Sequence, residues 1–185
     1  DFGATDGQLL SNSYALEKTY GWNGIVAEPA RCWHDALVRN RGCAKDLRCV
    51  WSESRKTLAF NETIIPEYST INAFSNADFN AAGRTNGNVY PVETVSLNDL
   101  LSTHGAPADI DYLSLDTEGS ELSILKAFDF DRTRVKIITV EHNFTEPSRQ
   151  EIAALLSAHG FARVFEPFSG WDDWYVHRTA LAQSP

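Results

Sequence analysis

Apolar positions along this chain fall into two alternating patterns: short continuous runs, and stripes at helical spacing. The run "GIVAE" (24–28) carries β-branched residues and is stopped by Pro29, so it reads as a strand buried on both faces. "DLRCVWSES" (46–54) is the next strand candidate. Ile110, Tyr112, Leu113 and Leu115 predict another, and "VKIITVEHN" predicts one that ends at Glu141, His142 and Asn143. "FARVFE" and "WDDWYVH" are late strand signals. Between them lie helical stripes. "GQLLSNSYALEKTY" (7–20) sets Leu9, Leu10, Tyr14 and Leu16 on one face, with Gly21 as the stop. "ARCWHDALVRNRG" predicts a helix closed by Gly42, and "SLNDLLSTHG" a short one capped by Ser96 and stopped by Gly105. Residues 121–128 form a further helix, and "SRQEIAALLSAHG" another with Ile152, Leu155 and Leu156 on one face. Residues 56–94 are polar, rich in Asn, Ser and Thr, and lack helical periodicity; they predict loops with short strands covering one end of a sheet.

Strands separated by helix-length segments imply parallel β-α-β units, hence an α/β fold with a doubly wound sheet. In such sheets ligands bind at the carboxyl ends of strands, where connections diverge to opposite faces. Those ends are residues 1–7, 28–29, 51–53, 116–119 and 141–143, and each sets polar or acidic residues directly after an apolar run.

The 185 residues suit one domain spanning 1–185, and 43% hydrophobic with 22% charged residues is ordinary for a globular protein. The formal charge of −9, from 16 basic and 25 acidic residues, comes without any basic run, which argues against a nucleic-acid partner. A small cationic or neutral ligand suits that balance better. No apolar stretch reaches spanning length and no signal-peptide pattern is present, so no membrane partner is expected and a cytoplasmic location is. The three cysteines, Cys32, Cys43 and Cys49, read as reduced thiols rather than a disulfide framework or metal site. Methionine is absent, even at position 1, so the chain reads as a fragment lacking the N-terminal part of its first strand and what precedes it.

Gly3 and Gly7 flank a turn after that stub, where missing side chains let a ligand approach the backbone. Glu28 follows about 20 residues on, the distance at which nucleotide-binding sheets keep a carboxylate for ribose hydroxyls. The glycines do not make GxGxxG, so a plain turn remains an alternative for the loop by itself. His142, beside Glu141 at a strand end, is a candidate general base, with a structural histidine as the other reading. Asp116, Glu118, Glu141 and His142 carry donors for a divalent cation, but capping of a helix by Glu118 explains the pattern more cheaply, and no metal site is assigned. Trp22 and Trp33 read as packing. Trp171 and Trp174 flank two aspartates, and either lines an acceptor site or packs.

The stretches "DFGATDGQLLSNSYALEKTYGWNGIVAEP", "SLNDLL", "DIDYLSLDTEGSELSIL", "VEHN" and "WDDWYV" resemble the FkbM-type S-adenosylmethionine-dependent methyltransferases, in the family's order along nearly the whole chain. The pair DxGAxDG and DxEGxE is the specific part. The resemblance implies a class I, Rossmann-like fold: a mostly parallel seven-stranded sheet whose last strand, "WDDWYVH", is antiparallel. It implies S-adenosylmethionine as cofactor, with Asp1, Gly3, Asp6 and Gly7 at its methionine end. It sets Glu28 on the ribose, Ser52 and Glu53 near the adenine, and Asp116 on the amino-acid or sulfonium side. Asp116, Glu141 and His142 become the catalytic candidates, and O-methylation of a small molecule or sugar the expected reaction. An acidic pocket offsets a sulfonium charge, which agrees with that cofactor. A non-catalytic Rossmann-like module that binds the cofactor or a partner stays open as the alternative.

Overall fold

The computed structural model describes residues 1–181. Helix α1 (Tyr14–Tyr20) precedes β1 (Ile25–Ala27); α2 (His34–Asn40) leads to β2 (Ala44–Asp46) and β3 (Cys49–Trp51). Strands β4 (Thr57–Glu62), β5 (Thr70–Ile71) and β6 (Asn88–Ser96) follow, then α3 (Leu97–Thr103), β7 (Asp109–Leu115), α4 (Glu121–Ala127) and β8 (Arg134–Glu141). The chain continues through α5 (Glu146–Ala158), β9 (Phe161–Val164), β10 (Asp172–His177) and α6 (Arg178–Leu181).

The fold is α/β with mixed sheets. β1 pairs with β2 in parallel and β7 with β8 in parallel; β10 runs antiparallel to both β8 and β9. A second set has β3 parallel to β6, with β6, β4 and β5 antiparallel in turn. The expected single run of seven strands is not what the ladders display. The first strand contributes only Phe2, which makes one bridge to Ala27 and one to Leu115, too little to form a ladder. Phe2 is nonetheless fully buried in the main core, beside Ala27, Leu113, Leu115, Ile138, Val140 and Tyr175. Burying side chains of that size stabilises by roughly 1.5–3 kcal/mol each.

Two expectations need correction. Residues 7–13 are not helical: the Asp6 carboxylate accepts the backbone N–H groups of Gln8 and Leu9 (both 2.8 Å), a local turn that competes with helix, and Leu9 and Leu10 are exposed. The segment 56–94 runs into nine-residue β6, the longest strand among the described residues, in which Tyr90, Val92 and Thr94 are buried while Val89, Pro91 and Glu93 face solvent. Proline is tolerated at 91 because β3 pairs only with Thr94, Val95 and Ser96, leaving that edge free of ladder bonds. The stop at Gly21 takes a left-handed conformation (φ 71°), and Ser96 caps α3, its Oγ accepting the Asp99 N–H; α2 instead ends at Asn40 with an extended Arg41, before Gly42.

Candidate functional site

A cavity of about 310 Å³ opens where β1, β7 and β8 end, within the range of small-molecule sites. Its floor is Phe2, Gly3, Ala27 and Asp116; Val50, Phe60 and Ile71 make an apolar wall, and Trp171 and Asp172 stand at the start of β10. Six acids line it (Glu28, Glu67, Asp116, Glu118, Glu141 and Asp172) and, among the described residues, no basic side chain does. Gly3 (φ +84°) is required here: a Cβ would overlap the Asp116 carbonyl oxygen.

Glu28 sits just past β1, buried, with Oε2 accepting the Thr5 N–H (3.0 Å) and Oε1 the Ala30 N–H (2.8 Å). Two short loops thus hold one carboxylate by their backbones. Burial pushes its carboxyl up to about 7, partly offset by those two donors.

The loop after β7 carries the other acids. Glu121, the first residue of α4, accepts the N–H groups of Thr117 (2.7 Å) and Gly119 (3.1 Å). The start of α4 is therefore capped by Glu121, not by Glu118. Glu118 adopts φ 58° and turns its Oε2 to the Arg84 guanidinium (2.6 Å) and the Asn143 amide (3.0 Å). Burial still raises its carboxyl to about 7 despite Arg84. Arg84 has no exposed side-chain surface; it also forks onto Asp78 and donates to the Tyr68 and Phe74 carbonyls. The polar segment thereby grips the loop, helped by Thr70 Oγ1 donating to the Glu118 carbonyl (2.7 Å).

Asp116, Glu118 and Glu141 each bring one oxygen within 4.8 Å of the others. Burial and mutual repulsion hold the Asp116 and Glu141 carboxyls well above the ordinary range, and among the described residues the buried Glu141 Oε2 has no partner. Like charges so close favour a shared proton or a bound cation.

The other expected residues fall elsewhere. The Asp1 carboxylate accepts the hydroxyls of Ser11 (2.6 Å) and Ser13 (2.8 Å), and Gly7 packs on Leu37 and Arg41; neither they nor Asp6 line the cavity. Ser52 and Glu53 also lie outside it, with Glu53 exposed beside Lys56. His142 is buried in a neighbouring hollow: Nδ1 accepts the Phe144 N–H (3.1 Å) and Nε2 faces Asp173 at 4.0 Å. Burial and Arg149 lower its pKa, so the ring is neutral at pH 7. Arg84 and Asp172 had no sequence signal of their own, since an arginine in a polar stretch and one of two adjacent aspartates reveal no partner.

The three cysteines are free thiols, and among the described residues no helix is long and apolar enough to cross a membrane. A family model described as the methyltransferase FkbM domain matches residues 1–163. No curated protein and no solved structure matches the chain.

Proposed function

The chain belongs to the FkbM methyltransferase family, and on that premise we propose that it moves a methyl group from S-adenosylmethionine to a hydroxyl oxygen of a small molecule or sugar. In this reading the order β2-β1-Phe2-β7-β8-β10-β9 is the doubly wound, mostly parallel seven-stranded sheet of a class I fold, with Phe2 standing for the central strand.

One observation carries the proposal: a single cavity holds an apolar wall, a backbone-pinned carboxylate and a cluster of acids in which Asp116 and Glu141 have no cationic partner among the described residues. Val50, Phe60 and Ile71 suit a flat aromatic ring. Glu28 keeps lone pairs free beyond its two backbone donors, and a carboxylate accepts both hydroxyls of a ribose diol. The unpartnered Glu141 oxygen and its neighbour Asp116 suit the cationic end of the cofactor. When bound, S-adenosylmethionine supplies an electrophilic methyl group on a positive sulfur. The protein's part is to orient donor and acceptor in line, to hold the acids that offset the charge, and to accept the acceptor's proton. Asp116 and Glu141 serve the second task. His142, with Nδ1 engaged and Nε2 facing Asp173, holds the end of β8 in place. No resident metal is part of this reading.

Calorimetry and thermal shift test it. S-adenosylmethionine and S-adenosylhomocysteine should raise Tm and NADH should not; no response to the first two overturns the reading. Glu28→Ala should weaken S-adenosylhomocysteine binding about tenfold or more, the loss of charge-assisted hydrogen bonds.

A further inference from the structure

We propose that Trp171 and Asp172 form the acceptor subsite, the Trp171 indole as platform for a sugar ring and the Asp172 carboxylate as the group that takes the hydroxyl's proton. The inference rests on the methyltransferase reading above and assigns its base and the binding mode of its acceptor.

Asp172 and Asp173 are adjacent, yet strand alternation points them to opposite faces. Asp173 is fully buried and neutralised by Arg149 (2.7 and 2.8 Å) and Arg163 (3.4 Å). Asp172 lies directly across the antiparallel ladder from Glu141, and both side chains line the cavity. Among the described residues no hydrogen bond or ion pair engages the Asp172 carboxylate; burial and Asp173 raise its pKa, which brings a base closer to working pH. It differs from the other acids of the site. Glu28 is occupied by backbone, Glu118 by Arg84, and Asp116 with Glu141 by one another. Among the described residues Glu67 is also without a partner, but it lies on the polar segment away from the strand ends, so Asp172 is the free, partly exposed acid that stands beside the Asp116 and Glu141 pair.

Trp171 precedes it with its indole 61% exposed although its backbone is fixed, its carbonyl accepting the His142 N–H at 2.9 Å. A large, exposed apolar plane in a cavity whose lining also holds the polar groups of Asp172, Glu67, Ser69 and Asn12 matches a ring with one apolar face and hydroxyls around its edge. Anionic acceptors are repelled by the acids. In the transfer, the acceptor oxygen forms a bond to the methyl carbon as the carbon–sulfur bond of the sulfonium donor breaks. The electron pair of that bond stays on sulfur, giving a neutral thioether, and the hydroxyl proton passes to Asp172.

The test uses methyl-labelled S-adenosylmethionine with a panel of methyl hexopyranosides and a matched panel of primary alkylamines. Label in a glycoside is expected; label in amines alone, or in neither while the cofactor binds, overturns the proposal. Failure to bind S-adenosylmethionine overturns the underlying methyltransferase reading instead. Against the glycoside that reacts, Asp172→Asn should lower kcat about 100-fold or more and abolish the acid limb of the pH profile, with KM for S-adenosylmethionine and Tm unchanged. Trp171→Ala should raise the glycoside KM about tenfold while keeping kcat, the loss of a stacking contact. Wild-type kcat and pH profile in Asp172→Asn, or an acid limb lost only in His142→Ala, overturn the assignment of the base.

Discussion

The two ends of the cavity hold acids in opposite ways. At the β1 end the Glu28 carboxylate takes one backbone N–H on each oxygen, and these fixed donors offset part of the cost of burying its charge. At the β7 and β8 ends Asp116 and Glu141 lie close together; among the described residues Glu141 Oε2 has no donor and only Glu118 of the three has a cation, Arg84. The first arrangement is complete without a ligand and suits recognition of neutral hydroxyls. The second is costly without one, because buried like charges repel, and becomes favourable when a cation or a proton arrives.

Breaking the one paired acid at the second end should have the largest effect. Arg84→Met leaves Glu118 and Asp78 buried without their partner, a loss of about 3–5 kcal/mol for a broken buried pair. Thermal denaturation should register a fall of about 10 °C for a chain of this size, and a change under about 2 °C would show that the triad does not hold the loop.

A smaller and sharper test sets the ends against each other by sign. The raised carboxyls mean that the folded chain binds more protons than the unfolded one, so ligand-free stability should fall as pH rises from about 5 to 8. Asp116→Asn removes a repelled charge and should raise Tm at pH 8, whereas Glu28→Gln sets an NH2 against a backbone N–H and should lower it. Each change should amount to about 1–2 kcal/mol. Denaturation across pH decides it; shifts of the same sign in both variants would mean that the ends do not differ in kind.

The smallest effect is expected outside both ends. Glu53→Ala alters an exposed residue whose carboxylate pairs with the exposed Lys56, and Ser52 likewise lies off the cavity. Calorimetry should find S-adenosylhomocysteine affinity within about twofold of wild type, as for surface changes generally. A larger loss would extend the cavity beyond its present lining.

Much of the site was legible because each strand end announces itself locally. Glu28, Asp116 and Glu141 each close an apolar run, and the structure brings all three to one cavity. The glycine of the opening loop was legible too, since a turn against a neighbouring strand end tolerates no Cβ at Gly3. The leading helix was over-read because Leu9 and Leu10 fit a helical stripe, while the Asp6 side chain takes the N–H groups that a helix would need. The strand β6 was under-read because Asn88 and Pro91 are residue types that strands disfavour and because polar Thr94 takes one of its buried places. His142 lay at the right strand end, but its ring nitrogens turned to Phe144 and Asp173 rather than to the cavity.

By itself the sequence determined most strands and helices outside residues 7–13 and 56–94, and which acids stand at strand ends. These follow from periodicity, caps and breakers that act over a few residues. Tertiary structure decided how each acid is used. Arg84 reaches Glu118 across 34 positions, Asn143 reaches it across 25, and the phase of β10 against β8 turns Asp172 toward the cavity and Asp173 toward its arginines. A carboxylate's charge depends on what lies within a few ångströms in space, and no local pattern of residues carries that information.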